Sequence, residues 1–136
     1  MKYKNIIIEE NEYLKIEKLL NLNNKGNVST VKSYISKLQD ELKTAIILPE
    51  SEIPQDVIKL NSVVTIKAKN TLWERTFELV LPAENNHKES KVSLLLPMGA
   101  AILGYAKGDV ILWDFPKGLQ ELNVLDVVQQ SNNSKK

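Results

Sequence analysis

One change of rhythm constrains this chain more than any other feature. Up to residue 48 the longest apolar patterns recur every three or four positions, whereas from Asn61 onward they recur every second position. The first spacing lines one stripe of a helix, and the second lines one face of a strand. Between them lies LPESEIPQDVIKLNS, in which Pro49 and Pro54 end a helix and hold an extended connection. The chain therefore reads as α+β: helices in 1–48, a joint in 49–60, a sheet domain in 61–130, and a tail, 131–136, expected to be disordered.

In STVKSYISKLQDELKTAI, Val31, Ile35, Leu38, Leu42 and Ala45 step by four and three, which is a heptad seam. Ser29 or Thr30 stands where an N-cap belongs. Upstream, Tyr13, Ile16 and Leu20 form a shorter seam. The polar loop NLNNKGN between them is short enough to make the helices antiparallel neighbours. The expectation is a short helical hairpin whose second helix is about 22 Å long. So short a pair must lean on something else for stability.

The strand pattern runs through Val64, Ile66 and Ala68, then Phe77, Leu79 and Leu81, then Val92, Leu94 and Leu96. It continues in Ile111, Trp113 and Phe115 and in Leu122 and Val124. MGAAILGY reads as a short helix that Gly104 or Gly108 can end. This predicts a small, strongly curved, mainly antiparallel sheet with one helix over its concave face.

Composition narrows the chemistry. The formal charge of +1 gives no global reason for unspecific DNA binding, and no sequence-specific DNA binding is expected. With no cysteine and one histidine, disulfides, thiolate metal sites and histidine-rich zinc sites are excluded. The apolar triplet in MKYKNIIIEEN is too short for a signal peptide, and the window Val92 to Ala106 is broken by Pro97 and two glycines. A cytoplasmic, unanchored protein is expected. No phosphate loop, dinucleotide fingerprint or nucleophile motif occurs.

The stretch PMGAAILGYAKGDVILWDFPKG carries a resemblance. A proline leads a small-residue helix, Gly108-Asp109 makes a turn, Val110 to Phe115 a strand, and Pro116 to Gly118 a hairpin. This order resembles the signature of the bacterial Gre transcript-cleavage factors, whose C-terminal domain has an FKBP-like fold. EIPQDVIKLNSVVTI similarly looks like the entry into that domain's first strand. With so short a hairpin the chain is most similar to the Rnk-type branch (regulator of nucleoside diphosphate kinase), which has a truncated coiled coil. The resemblance implies bacterial RNA polymerase as partner, gripped by the sheet domain near the mouth of its secondary channel; in full-length Gre factors the hairpin tip enters that channel. It also implies a docking surface at Leu95, Leu96, Pro97, Met98 and Gly99. Where the family has a polar residue and a serine before the proline, this chain has Leu95 and Leu96, so an apolar or backbone-led grip is expected.

The family's cleavage chemistry uses two acidic tip residues to help hold a magnesium ion. Here Lys18 through Gln39 contains no Asp or Glu but holds Lys18, Lys25, Lys32 and Lys37. Magnesium demands hard, charged oxygen ligands, and the amides of Asn23, Asn24 and Asn27 do not supply that charge. No catalytic residue, metal or cofactor is therefore expected. Lys25 and Lys32 are candidate tip contacts to acidic protein surface or phosphates, against the simpler reading that they keep the helices soluble. Transcript cleavage, prolyl isomerisation in a hollow lined by Tyr105, Trp113, Phe115 and Trp73, and docking on another protein remain the alternatives. His87 lies in a polar loop, Asp109 reads as a turn residue, and Asp114 interrupts an apolar strand. Glu50, Glu52 and Asp56 read as solvated acids, and the expected state is a monomer or weak dimer.

Overall fold

The computed structural model describes residues 3–24, 33–69, 72–81, 90–95, 97–115 and 118–129, with backbone alone at 22–24, 33–34, 97 and 113–115. The chain begins with an element that periodicity does not reveal. The last two residues of the isoleucine triplet and Glu9 form β1 (Ile7–Glu9), which pairs in parallel with β2 (Ile46–Leu48), Ile7 opposite Ile46. Parallel neighbours need a crossover. Helices α1 (Glu10–Asn24) and α2 (Ser33–Lys43) lie in it. The segment expected to be a helical hairpin alone is thus closed at its base by two strands. A run of three residues is too short to show any period, which is why both were missed.

Helix α1 starts where it does because of Glu9. Its buried carboxylate accepts the N–H groups of Asn11 and Glu12 at 3.0 Å each, satisfying two of the orphan donors of the first turn. The helices turn Ile16 and Leu20, and Ile35, Leu38 and Leu42, into the interior. These are the seam residues expected there. Tyr13 and Ala45 are only partly buried. Val31, Ser29 and Thr30 lie outside the described residues. The described part of α2 stops at Lys43, so Ala45 belongs to the turn that leads into β2.

The main sheet has the order β5-β4-β3-β7-β6. Its strands are β3 (Val63–Ala68), β4 (Glu74–Val80), β5 (Lys91–Ser93), β6 (Val110–Phe115) and β7 (Gly118–Val128). β4, β3, β7 and β6 are mutually antiparallel, but β5 runs parallel to β4, Glu78 opposite Lys91. The sheet is mainly antiparallel, as expected, with one parallel pair at its edge. Alternation tells which face a side chain takes, whereas direction is set by the connection. β7 is also longer than the two apolar positions that announced it, because exposed Leu119, Leu125 and Val128 blur its alternation.

Between Thr65 and Ile66 the register of β3 on β7 slips, so that Thr65 meets Asp126 and Ile66 meets Val124. Leu125 is the extra residue of a bulge, a device that bends and twists a strand. On the inner face Val64, Ile66, Phe77, Leu79, Leu94, Ile111, Leu122 and Val124 meet Ala100 to Leu103 from α3 (Pro97–Ile102) and its end. Ile16, Leu20, Ile35, Leu38 and Leu42 join the same cluster, so one core runs through both parts of the chain. Here the short helices find the support they need. Burying each large side chain contributes about 1.5–3 kcal/mol.

Candidate functional site

The candidate docking surface lies where β5 hands over to α3. Leu94 donates its N–H to Val80 O at 2.8 Å, and Ser93 Oγ accepts the N–H of Leu95 at 3.0 Å, which turns the chain out of the sheet. Proline suits the first helical position, where an N–H would go unpaired, and Pro97 opens α3. Leu95 and Met98 rest half-buried against the rim of the main core. Leu96 lies outside the described residues, and Pro97 is described by its backbone alone.

Gly99 has a different part. It is buried, and a Cβ added there would overlap the carbonyl oxygen of Ser93 and sit 3.1 Å from Leu79 Cδ1. Only glycine lets α3 approach β5 so closely. Gly99 thus shapes the surface that Leu95 and Met98 present without forming part of it.

The Gly-Asp motif is structural. Asp109 N–H donates to Ala106 O at 2.9 Å across a turn in which Gly108 takes φ +92°. Gly108 N–H and Asp109 O both bond Val124, so two residues oppose one in a glycine-led bulge. The buried Asp109 carboxylate accepts the N–H of Ala106 at 2.8 Å. The aromatics considered for a hollow do not converge as a group in what is described. Tyr105 is buried in the core, Trp73 is partly exposed, and only the backbone of Trp113 and Phe115 is described. Asp114 is likewise described by backbone alone, and His87 and the tail 131–136 lie outside the described residues.

Two carboxylates fasten the helices to the sheet. Glu41 of α2 accepts the Tyr105 hydroxyl at 2.6 Å. Burial pushes that phenol's pKa well above the ordinary range, and the negative charge of Glu41 adds to the shift. Glu12 of α1 accepts the N–H of Leu60 at 3.1 Å. Desolvation raises the Glu12 carboxyl to about 6, with the Leu60 N–H and the Lys59 charge offsetting only part of that. Lys59 itself is nearly buried, 3.8 Å from Glu50, in a cleft of about 530 Å³ also lined by Gln55, Val127 and Gln129. Of the acids of the joint, Glu50 and Glu52 are exposed, as expected of solvated acids, while the half-buried Asp56 accepts the Tyr3 hydroxyl at 2.9 Å.

A second groove, about 400 Å³, separates α1 from α2 and is lined by Tyr13, Glu17, Leu20, Asp40 and Lys43. Glu17 and Asp40 are the acids that bracket the carboxylate-free stretch in the sequence. Lys25 and Lys32 lie outside the described residues. Among the described residues, no three His, Asp or Glu side chains gather as metal ligands do, and no helix is long and apolar enough to cross a membrane. Sequence reasoning missed Glu12, Glu41 and Lys59. Each looks locally like an ordinary solvated charge; the partners of Glu12 and Glu41 are far away in the chain, and Lys59 is marked only by its burial.

What these features define first is a class: an α+β protein in which a pair of short helices is anchored on one side of a five-stranded sheet. The relatives name it further. Residues 53–129 match the family model described as "Transcription elongation factor, GreA/GreB, C-term", and the chain belongs to that family. The GreA transcription elongation factor of Clostridium botulinum strain Eklund 17B is 31% identical over 103 residues, 76% of this chain and 64% of its own length. The strain Hall protein gives the same figures. The chain thus spans a little under two thirds of these relatives. Among solved structures, a prokaryotic GreA/GreB elongation factor from Nitrosomonas europaea is 29% identical with a TM-score of 0.70, covering 91% of this chain and 98% of that one. Thermus aquaticus Gfh1 is 27% identical with a TM-score of 0.50 over 91% and 98%.

Proposed function

We propose that this protein is a non-catalytic regulator that docks on bacterial RNA polymerase, a Gre-family member of the Rnk-type, short-coiled-coil branch with an FKBP-like C-terminal domain. The observation that carries the reading is a contrast within one chain. The family match spans the whole sheet domain, including the β5–α3 surface, while the stretch where cleavage factors place acids, Lys18 through Gln39, has lysine as its sole charged residue type. Docking near the secondary channel then requires no chemistry. Occupying that entrance excludes other channel-binding factors by shared surface alone.

Leu95 and Met98 supply an apolar grip around Pro97, and α1 and α2 form a stubby antiparallel prong. Lys25 and Lys32, between α1 and α2 in the sequence, are the candidate contacts to acidic protein surface, acting as point charges. The test uses purified bacterial polymerase. Wild-type protein binds it, and Leu95→Asp with Met98→Asp weakens binding at least about tenfold, because a charge is driven into an apolar contact. A stalled, backtracked complex with magnesium keeps its RNA length when the protein is added. Shortened RNA supports a cleavage factor instead, and absence of polymerase binding overturns the proposal.

A further inference from the structure

The chain has no cysteine and two methionines, Met1 and Met98. Its sulfur chemistry is therefore that of thioethers alone. Met1 lies outside the described residues, whereas Met98 stands in the middle of the candidate docking surface.

The structure holds Met98 at the boundary between interior and solvent. Ala100, Ala101 and Ile102 are buried, so α3 enters the core within one turn. Met98 is the last side chain before that descent, and it rests half-buried beside Leu95 on the rim of the main core. Its place is fixed from both sides. Gly99 seats α3 directly against the Ser93 carbonyl and Leu79. The N–H groups of Leu94 and Leu95 are bonded to Val80 O and Ser93 Oγ. The helix therefore has no room to draw Met98 under cover. A leucine in this position packs as well but is inert to peroxides; methionine alone combines an apolar side chain with reversible oxidation.

We infer that Met98 is a reversible oxidation site that switches the β5–α3 surface off, an inference that rests on the docking role proposed above for that surface. The step is a two-electron oxidation of sulfur by a peroxide. A sulfur lone pair attacks one oxygen of hydrogen peroxide and the O–O bond breaks. The proton on the transferred oxygen passes to the departing one, which leaves as water, and the thioether becomes a sulfoxide. No bond to carbon changes. Polarity does: the sulfoxide oxygen is a strong acceptor, and an apolar partner that covers it offers no donor. A reductase of the methionine sulfoxide class restores the thioether, the oxygen leaving as water while two thiols form a disulfide.

The test treats the full chain with hydrogen peroxide and removes the excess with catalase before purified bacterial polymerase is added. Peptide mass follows the oxidation of Met98. Untreated protein binds polymerase. The oxidised chain, still folded by circular dichroism, binds at least about fivefold more weakly, and reductase treatment restores binding. Met98→Leu, compared with itself before and after peroxide, keeps its affinity, which excludes Met1 as the responsible sulfur. Failure of untreated protein to bind overturns the docking role and the switch together. Binding that survives full conversion of Met98 overturns the switch alone. So does a Met98 that peroxide leaves unmodified, a peroxide effect that persists in Met98→Leu, or a chain that unfolds on oxidation.

Discussion

Replacing Gly104 by alanine tests the close packing on which the union of helices and sheet depends. Gly104 follows α3 with φ +83°, accepts the N–H of Ile7 from β1 and donates its own N–H to Ile58 O at 3.0 Å. An added Cβ would sit 2.6 Å from Ile6 Cβ, too close for any side chain to occupy without movement. Two costs therefore combine. Holding alanine in the left-handed region costs about 1–2 kcal/mol, and overpacking against an anchored neighbour costs about 1–3 kcal/mol. The sum, about 2–5 kcal/mol, is a large part of the roughly 5–15 kcal/mol that holds a domain together. Gly108 supplies the control. It has φ +92° with nothing within 4 Å of an added Cβ, so Gly108→Ala carries only the first cost. The loss of glycine's freedom in the unfolded chain is common to both and cancels. Guanidinium unfolding should place Gly104→Ala at least about 1 kcal/mol below Gly108→Ala with equal m-values. Equal losses, within about 0.5 kcal/mol, would show that Ile6 moves aside freely and would refute the argument.

Other expectations follow from the carboxylates. The Glu12 carboxyl is raised from 4.5 to about 6 in the folded state, so the folded chain takes up a proton before the unfolded chain does. Its contribution is fully present below about pH 4.5 and is lost as pH rises through about 6, a swing of about 2 kcal/mol. Between pH 7 and 5, wild type should gain a little over half of that swing, about 1.2 kcal/mol, relative to Glu12→Gln in denaturant titrations; identical pH profiles would contradict it. Tyr105→Phe removes the 2.6 Å bond to Glu41 and should cost about 1.5–3 kcal/mol. In the wild type one phenol should also resist ionisation at pH values where an ordinary tyrosine titrates, read from ultraviolet absorbance and absent in Tyr105→Phe. Glu9→Ala uncaps α1 and should lower stability by about 0.5–2 kcal/mol in the same assay.

Much of the fold was legible from side-chain spacing. Ile16, Leu20, Ile35, Leu38 and Leu42 declare a helical stripe, and Val64, Ile66, Phe77 and Leu79 declare a strand face, because burial of one side imposes a period on the residues themselves. The lack of acid between Lys18 and Gln39 is likewise a property of composition and requires no fold to be read. The candidate docking segment was singled out through its resemblance to a family signature; spacing alone would have marked Leu95 and Met98 only as apolar.

Tertiary structure decided what has no local signature. Strands β1 and β2 exist because a crossover brings two short isoleucine-rich runs together, and β5 lies parallel because of where its connection returns the chain. Glu12, Glu41 and Lys59 acquire roles from partners that only folding delivers, Leu60 and Tyr105 being 48 and 64 residues from Glu12 and Glu41. Gly99 changes from a surface candidate to a buried spacer because Ser93 and Leu79 come up against it. Periodicity records which side of an element meets the interior; direction, distance and charge environment arise between elements, where no run of adjacent residues can encode them.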